Sequence, residues 1–348
     1  MNAKRYNIFF VAQDMGGCNA LLPVFLRLKN NRSYRVSALF GPVFKKYIAP
    51  HLARYVSTGA DPDAIIEKHL SSFHPYIIVV GIGIGKTLDK SAVAWAKKHG
   101  VTTVGVVESW GDTVGGFSSP GTRDLARAPD HICVVDDFLK RRMKKEGFNP
   151  SCLFVTGNPH FDTFRSPMKK YHGKKAIYFF CQPFSELPHL KTGLNEVDVF
   201  RDLVHALEAL HVILPVVIRF HPRTKDHHKF DDIITWSSLH ISIDRSKVME
   251  TALARSELVL GMFGAALFEA ALMGKKVLSY LPTLTIHDPL MSNRIGLSVP
   301  VYRKKDLIPK MKKLIENTYD KKSLSAVHKK YIHGHATDNV FRCIQSVL

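Results

Sequence analysis

Short apolar runs recur along the chain, and polar segments with helical spacing separate them. A continuous apolar run of strand length is typical of a parallel strand covered on both faces, and a helix between two such strands forms a β-α-β unit. In the first half, strands are predicted at 6–12, 35–40, 76–80, 102–107, 131–135 and 152–156, and helices at 19–28, 63–70, 91–99 and 138–146. This pattern predicts a doubly wound α/β lobe over residues 1–165.

The same alternation begins again after a polar and basic stretch at 164–175, which we interpret as a linker. Beyond it, strands are predicted at 176–181, 216–220, 240–243, 257–260 and 276–280, and helices at 194–210, 247–255 and 265–273. The predicted fold class is α/β, with two Rossmann-like lobes of mostly parallel strands at 1–165 and 176–305. Residues 306–348 are predicted to be basic helices that pack back across the lobes. Two such lobes would leave a cleft between the carboxyl ends of their sheets, where open α/β sheets bind ligands.

The charge of the chain narrows the choice of partners. Its 348 residues include 49 Lys and Arg against 30 Asp and Glu, and the net charge of +19 favours anionic partners. Between 303 and 331 there are ten basic residues and three acidic ones. That stretch predicts either a solvated helix face or a surface for an anionic membrane or polymer. No RNA-binding signature is present in the sequence, so nucleic acid is not a predicted partner.

The five cysteines are dispersed without a C-x-x-C pair, which indicates a reducing compartment rather than a disulfide framework. The histidines do not have zinc spacing and no G-x-G-x-x-G fingerprint occurs, so no metal and no cofactor are predicted. The N-terminal apolar run has the length of a strand, and no window approaches the roughly 20 apolar residues of a membrane span. We expect a cytoplasmic protein whose contact with a membrane, if any, is peripheral.

In the second lobe, two arginines and a histidine lie at the end of a predicted buried strand. Arg219, His221 and Arg223 flank Pro222, which restricts the backbone of the turn. Guanidinium groups bind phosphate through paired hydrogen bonds, and a histidine can donate to a phosphate oxygen or protonate a leaving group. The alternative is an exposed basic turn without a ligand.

A second segment, 256–274, reads as a strand, a glycine loop and a helix. Small residues at the helix start, Gly264 and Ala265, would let an anion approach the free N–H groups there. Glu269 lies further along this apolar helix and needs a partner. Either the two hydroxyls of a ribose or a nearby arginine would serve.

The first lobe offers several acidic and glycine-rich positions after strands. The loop 13–19 contains Asp14, Gly16, Gly17 and Asn19, and Asn19 is predicted to cap the following helix. We take Asp14 as the leading candidate for a general base, with Gly16, Gly17 and Asn19 on the acceptor side.

After another strand of this lobe come Glu108, Trp110 and Asp112. Glu108 and Asp112 are rival bases to Asp14, and Trp110 either stacks on a sugar ring or fills the core. Gly157 and Asn158, before the linker, would hold a base or a phosphate, or only shape a turn. The stretch 81–87 ends in G-K-T but is one residue short of a P-loop, so ATP hydrolysis is not predicted, although Lys86 could contact an anionic acceptor.

These segments resemble a known superfamily. The H-P-R turn at 221–223, followed about forty residues later by G-x-x-G-x-x-x-x-E at 261–269, resembles GT-B glycosyltransferases. The similar branch includes UDP-GlcNAc 2-epimerases, CDP-glycerol glycerophosphotransferases and bacterial capsule sialyl- and polysialyltransferases, and the turn at 155–162 resembles that of the epimerases. The resemblance implies that His221 and Arg223 bind donor phosphates, that the backbone of Gly264 and Ala265 assists, and that Glu269 takes the ribose.

Two departures bear on the activity that the resemblance implies. The stretch 281–287 reads LPTLTIH where the epimerases carry a T-E-R-P-E-like sequence, and residues 264–266 are Gly-Ala-Ala where the sialyltransferases carry hydroxyls. The resemblance therefore predicts an inverting, metal-independent glycosyltransferase that moves a sugar from a UDP-, CDP- or CMP-linked donor to a surface-polysaccharide, glycan or lipid-linked acceptor. The alternatives are a nucleotide-sugar 2-epimerase and a non-catalytic anion-binding protein.

Overall fold

A computed structural model describes residues 5–46, 48–165, 173–187, 190–246, 249–317, 331 and 334–348. The chain divides into two compact units. Unit 1 comprises Met1–Ser166 together with Lys330–Leu348, and unit 2 comprises Pro167–Lys329. Most of the predicted linker, residues 166–172, lies outside the described residues.

Unit 1 contains a parallel sheet of six described strands in the order β2-β1-β3-β4-β5-β6. The strands are β1 Tyr6–Ala12, β2 Tyr34–Phe40, β3 Ile77–Val80, β4 Thr102–Val106, β5 His131–Val134 and β6 Leu153–Val155, and the helices are α1 Met15–Lys29, α2 Pro62–Phe73, α3 Leu88–His99, α4 Thr113–Phe117 and α5 Asp137–Lys145. Ile8 and Phe10 of β1 join one core cluster, whereas Phe9 and Val11 join a second one. The strand is therefore buried on both faces, as its continuous apolar run predicts.

Unit 2 repeats this architecture with the strand order β12-β11-β10-β7-β8-β9, again with parallel pairs throughout the described residues. The strands are β7 Ala176–Phe180, β8 Val216–Arg219, β9 Ile241–Ile243, β10 Ser256–Gly261, β11 Lys276–Tyr280 and β12 Val299–Val301, and the helices are α6 Glu196–Ala209, α7 Asp231–Trp236, α8 Met249–Arg255, α9 Ala265–Leu272, α10 Met291–Arg294 and α11 Leu307–Ile315. The predicted class, α/β with two Rossmann-like sheets, is confirmed.

The start of the first helix differs from the prediction. Helix α1 begins at Met15 directly after Asp14, and a hydrogen bond of 2.9 Å from the Cys18 N–H to the Asp14 carbonyl closes its first turn. Asn19 therefore lies inside the helix, and the prediction that it caps the helix was wrong. The glycine pair 16–17, predicted to lie in a loop, belongs to the helix. A Cβ on the facing Gly81 would lie only 3.2 Å from the Gly17 Cα, so this turn needs small residues.

The described parts of the C-terminal tail pack within different units. Leu307, Met311 and Leu314 bury one face of α11 in unit 2, whereas helix α12, Ala336–Gln345, packs in unit 1 through Val340 and Ile344. The second half of the predicted basic surface, residues 318–330, lies outside the described residues, so membrane contact stays a prediction. No helix in the described part of the chain is long and apolar enough to cross a bilayer.

Candidate functional site

The two predicted binding segments of unit 2 leave the sheet next to each other. In the strand ladders, Phe180 of β7 pairs with Arg219 of β8 on one side and with Gly261 of β10 on the other. Segments 219–223 and 261–269 therefore start on either side of the carboxyl end of β7. This is the edge at which parallel α/β sheets bind ligands.

His221 is held as a neutral hydrogen-bond donor. Its Nδ1 accepts a hydrogen bond of 3.1 Å from the Arg223 N–H, so the proton of the neutral ring resides on Nε2. Burial, and then the charge of Arg223, lower the pKa of His221 to about 4. At neutral pH the ring can therefore donate one hydrogen bond through Nε2 without carrying a charge, while the exposed Arg223 carries the positive charge of this turn.

The other arginine of this segment has a partner inside the unit. Arg219 forms an ion pair with Asp244, and its Nη1 also donates to the Ser246 carbonyl at 3.1 Å. The side chains of Arg219 and Asp244 are 13% and 6% exposed. This buried pair joins the end of β8 to the segment after β9, and the predicted contact of Arg219 with phosphate stays a prediction.

A buried ion cluster fixes the loop that carries His221 and Arg223. The Nζ atom of Lys229 lies 2.5 Å from Glu186 Oε1 and 2.7 Å from Glu196 Oε1. Burial opposes the ionisation of Glu196, but hydrogen bonds from Lys229 and Ser185 outweigh it and lower the pKa of that carboxyl. Because Glu186 also accepts from the main chain at 225–226, the cluster ties the loop 221–230 to the segment before α6.

The glycine at the start of α9 allows the segment before this helix to approach the side chain of Gln182, which follows β7. Gly264 precedes the helix with a φ of +146°, and a Cβ at this position would lie 2.4 Å from the Gln182 Nε2 atom. Ala265, the first helical residue, is exposed, so its small side chain leaves the first turn open. Glu269 lies in the second turn of α9 and is partly buried. The amide of Gln182 at this edge had not been predicted from the sequence.

A polar network contacts the segment between β10 and α9, and it had not been predicted from the sequence either. Ser279 Oγ donates to the Met262 carbonyl at 2.5 Å, and Asn293 Nδ2 donates to Ser279 Oγ and to Asp288 Oδ2 at 3.0 and 2.8 Å. The Tyr302 hydroxyl donates to the same carboxylate at 2.6 Å. The neighbouring pocket is lined by Leu281, Pro282, Leu284, Ile286, His287, Asp288 and Tyr302. The stretch 281–287, which departs from the epimerase pattern, thus lines a pocket with both apolar and polar walls.

In unit 1, three carboxyl groups gather beyond β1, β3 and β4. A Cβ on Gly16 would lie 2.9 Å from Glu108 Oε1, and Asp89 Oδ1 accepts a hydrogen bond of 2.9 Å from the Gln13 N–H. Asp14 follows Gln13 and caps α1 through its main chain rather than its side chain. Asp89 had not been predicted, because it lies on α3, well beyond the end of β3, and only the fold of the loop 81–88 brings it back.

Two of these carboxyl groups titrate near neutral pH. Burial, and then the charge of Asp14, raise the pKa of Glu108 to about 8 and that of Asp89 to about 7. Glu108 Oε2 is buried without a hydrogen-bond partner among the described residues. Groups with such a pKa can accept and release a proton under physiological conditions. Within the described ranges, no three His, Cys, Asp or Glu side chains gather closely enough to hold a metal ion.

The turn after β6 supports the segment that carries Glu108. Gly157 adopts a φ of +85°, and Asn158, 3% exposed, donates from Nδ2 to the Glu108 carbonyl at 2.8 Å. The Asn158 Oδ1 atom accepts from the His160 N–H at 2.9 Å. Both polar atoms of the Asn158 side chain therefore have partners in unit 1, and the predicted role of this turn in donor binding stays a prediction.

The other side chains predicted on the acceptor side have structural contacts. Trp110 is 8% exposed, and its Nε1 donates to Asp136 Oδ1 at 3.2 Å. Asp112 caps α4 through the Gly115 N–H and pairs with Arg123 at 3.1 Å. Of the two interpretations of Trp110, the structure favours the core residue. Contact of either side chain with an acceptor stays a prediction.

The glycine-rich stretch 81–87 does not leave its lysine unpaired. Lys86 Nζ lies 2.9 Å from Asp61 and 3.1 Å from Asp63, and these side chains are exposed. Thr87 caps α3 by accepting from the Lys90 N–H. The predicted contact of Lys86 with an anionic acceptor stays a prediction.

No protein-family model and no curated protein match the sequence. Solved structures do match. The UDP-GlcNAc 2-epimerase from Neisseria meningitidis bound to UDP-GlcNAc is 14% identical with a TM-score of 0.74, over 98% of this chain and 100% of that one. The UDP-GlcNAc 2-epimerase from Methanocaldococcus jannaschii is 15% identical with a TM-score of 0.70, over 98% and 99%. The calicheamicin glycosyltransferase CalG4 is 12% identical with a TM-score of 0.58, over 100% and 99%. The chain therefore has the GT-B fold, which it shares with UDP-GlcNAc 2-epimerases and with a glycosyltransferase.

Proposed function

We propose that this chain is an enzyme that transfers a sugar from a nucleotide-linked donor to a glycan or lipid-linked acceptor. The observation that carries the proposal is the carboxyl edge of unit 2, where His221 and Arg223 follow β8 and the open first turn of α9 follows β10. His221 Nε2–H, the Arg223 charge and the N–H groups of α9 are donors suited to phosphoryl oxygens. Glu269 would accept hydrogen bonds from ribose hydroxyls.

The same groups would stabilise the departing nucleotide. Negative charge develops on the phosphate as the bond to the sugar breaks, and fixed donors placed in advance lower the energy of that state. Because His221 is neutral, it contributes a hydrogen bond, and Arg223 contributes the charge. This division of roles requires no metal ion, and the predicted donor is UDP-, CDP- or CMP-linked.

Unit 1 would supply the base that deprotonates the acceptor hydroxyl. Glu108 and Asp14 are the candidates. The raised pKa of Glu108, about 8, makes its ionised form a stronger base than an ordinary carboxylate. A single displacement with one base inverts the configuration at the sugar carbon.

A specific observation also favours a second reaction, epimerisation of a nucleotide sugar. Inversion at a ring carbon requires one group to remove a proton and another to return it, and Glu108 and Asp89 both titrate near neutrality. Among the structural neighbours, an epimerase bound to UDP-GlcNAc has a TM-score of 0.74. The uncharged stretch 281–286 is the feature of this chain that favours transfer, because the epimerase pattern is charged there.

Binding is tested first, by the thermal shift of the full chain with UDP-, CDP-, CMP- and GDP-sugars. A ligand that binds only the native state raises the melting temperature by mass action, so the shift shows which nucleotide the protein binds. His221→Ala should lose the shift and all turnover while its own melting temperature stays near that of the wild type. His228→Ala, an exposed histidine of the same loop, is the matched control and should keep both. Equal shifts in the wild type and His221→Ala would contradict the proposed site.

The two reactions are separated by running the accepted nucleotide sugar in D₂O. Without an acceptor, an epimerase produces the isomeric sugar with deuterium at the inverted carbon, because the carbon–hydrogen bond has been broken. A transferase instead releases free nucleotide only when a glycan or lipid-linked acceptor is present. Binding without either product would favour the non-catalytic alternative, and failure of every nucleotide sugar to bind would contradict the proposal as a whole.

A further inference from the structure

The segment that carries Glu108 has no regular secondary structure, so other elements must hold it in place. Residues 107–112 leave the end of β4 without helix or strand geometry. Two clamps act on the main chain. Asn158 Nδ2 donates to the Glu108 carbonyl at 2.8 Å, and Arg142 of α5 donates to the Trp110 and Gly111 carbonyls, each at 2.7 Å.

A third clamp acts through a side chain. Trp110 Nε1 donates to Asp136 Oδ1 at 3.2 Å, and Asp136 also accepts from the Leu139 N–H at 2.8 Å, which caps α5. Asp136 is 3% exposed. A buried carboxylate requires several donors, and its geometry is correspondingly well determined. Asp136 therefore connects the start of α5 to the segment that carries Glu108.

The last donor comes from the far end of the chain. The Tyr331 hydroxyl donates to Asp136 Oδ2 at 2.8 Å, and the Tyr331 ring packs edge-on against the Trp110 ring with centroids 5.7 Å apart. Tyr331 is 3% exposed, and burial followed by the hydrogen bond to Asp136 raises the pKa of its phenol. Tyr331 thus contacts both Trp110 and the carboxylate that binds the Trp110 indole.

We infer that Tyr331 is a positioning residue for Glu108, acting through Asp136 and Trp110. Tyr331 donates to the second carboxylate oxygen of Asp136 and packs against the Trp110 ring, so its removal weakens the side-chain clamp on Trp110, two residues after Glu108. The inference rests on the proposed function, because it takes Glu108 as the group that transfers the proton. A catalytic group displaced by a fraction of an ångström loses rate, while a nucleotide site built from unit 2 residues keeps its affinity.

The variant Tyr331→Phe tests the inference in the full chain, because it removes only the hydroxyl. With the nucleotide sugar accepted in the binding screen, we expect kcat to fall about ten- to hundredfold. The KM and the affinity for the nucleotide should change less than about twofold, since a kcat effect alone reports an interaction made in the transition state. The matched control is Tyr280→Phe, because Tyr280 is fully buried and donates to Asp202 at the same 2.8 Å but lies in unit 2. The control should lower thermal stability and leave kcat unchanged.

A double-mutant cycle with Glu108→Gln separates positioning from general destabilisation. If Tyr331 acts through Glu108, Tyr331→Phe has no further effect on the residual rate of Glu108→Gln, because the two changes remove the same contribution. An additive loss of rate in the double variant, or an unchanged kcat in Tyr331→Phe, would overturn the inference. Full activity of Glu108→Gln would instead refute the role of Glu108 in the proposed function, and the positioning role with it.

Discussion

The ion cluster around Lys229 allows a quantitative prediction about unit 2. Lys229→Met keeps most of the apolar stem of the side chain and removes the charge. It leaves Glu196, whose side chain is fully buried, and Glu186, whose side chain is 17% exposed, without their cation. Removing one partner of a buried pair strands an uncompensated charge, which costs about 3–5 kcal/mol. We expect about 3 kcal/mol, the lower end of that range, because Glu186 can recover water and Glu196 keeps its hydrogen bonds from Ser185.

Urea unfolding followed by far-UV circular dichroism measures this loss, and hydrogen exchange in β7 and β8 assigns it to unit 2. For a unit of this size, the loss corresponds to a fall of about 6–12 °C in melting temperature. The matched control is Lys86→Met, because Lys86 also contacts two carboxylates, Asp61 and Asp63, but all three side chains are more than half exposed. Exposed ion pairs contribute little to stability, so the control should have the same melting temperature as the wild type.

The pH dependence of the difference gives an independent check on the cluster. Hydrogen bonds from Lys229 lower the pKa of Glu196 and Glu186 below their ordinary values, against the opposing effect of burial. A carboxylate whose pKa is lowered on folding stabilises the native state above its unfolded pKa, and this stability is lost as the pH falls. The difference in free energy of unfolding between the wild type and Lys229→Met should therefore decrease below about pH 4.5. Equal stability of Lys229→Met and Lys86→Met at pH 7 would refute the view that the cluster is desolvated.

Three further outcomes are expected. Burial raises the pKa of Glu108 to about 8, so the native state holds a proton that the unfolded state releases above about pH 4.5. Glu108→Gln should therefore be more stable than the wild type at pH 8 and no more stable at pH 4. Urea titrations at both pH values measure this difference. Gly264→Ala should weaken nucleotide binding about tenfold or more, measured by calorimetry. The added Cβ would overlap the Gln182 amide, and a φ of +146° suits only glycine. Wild-type affinity of this variant would contradict this geometry. Asn158→Ala should lower kcat while leaving nucleotide affinity unchanged, because it releases the Glu108 carbonyl, and a loss of affinity without a loss of kcat would favour the alternative role in donor binding.

Local pattern predicted most of the framework of both units, but not the edge strand β12 or the short helices α4, α7 and α10. The apolar runs at 6–12 and 276–280 coincide with β1 and β11, and Asp61 caps α2 as its Asp-Pro start predicts. A strand buried on both faces carries a nearly continuous apolar run, so its sequence indicates its environment directly. The basic turn after β8 and the glycine loop before α9 also follow from local sequence, because the end of a strand in a parallel sheet has a defined place.

The start of α1 and the choice between core and surface for Trp110 depended on tertiary structure. The glycines 16 and 17 have the composition of a loop, and only the close approach of Gly81 shows why a helix there needs them. Trp110 suits a sugar platform or a core equally well by composition. Its burial is decided by Asp136 and by Tyr331, which lies 195 residues after Asp136.

The polar contacts that organise the candidate sites depended most on tertiary structure. Asp89 lies on a helix and joins the carboxyl groups of Asp14 and Glu108 in unit 1. Lys229 contacts two glutamates that lie 33 and 43 residues before it. Hydrophobic periodicity is a property of neighbouring residues, so the sequence by itself predicts most strands and helices and the edge of the sheet at which a ligand is expected. A buried charge or hydrogen bond is stable only when a distant partner arrives at the right distance, and that pairing is decided by the folded chain alone.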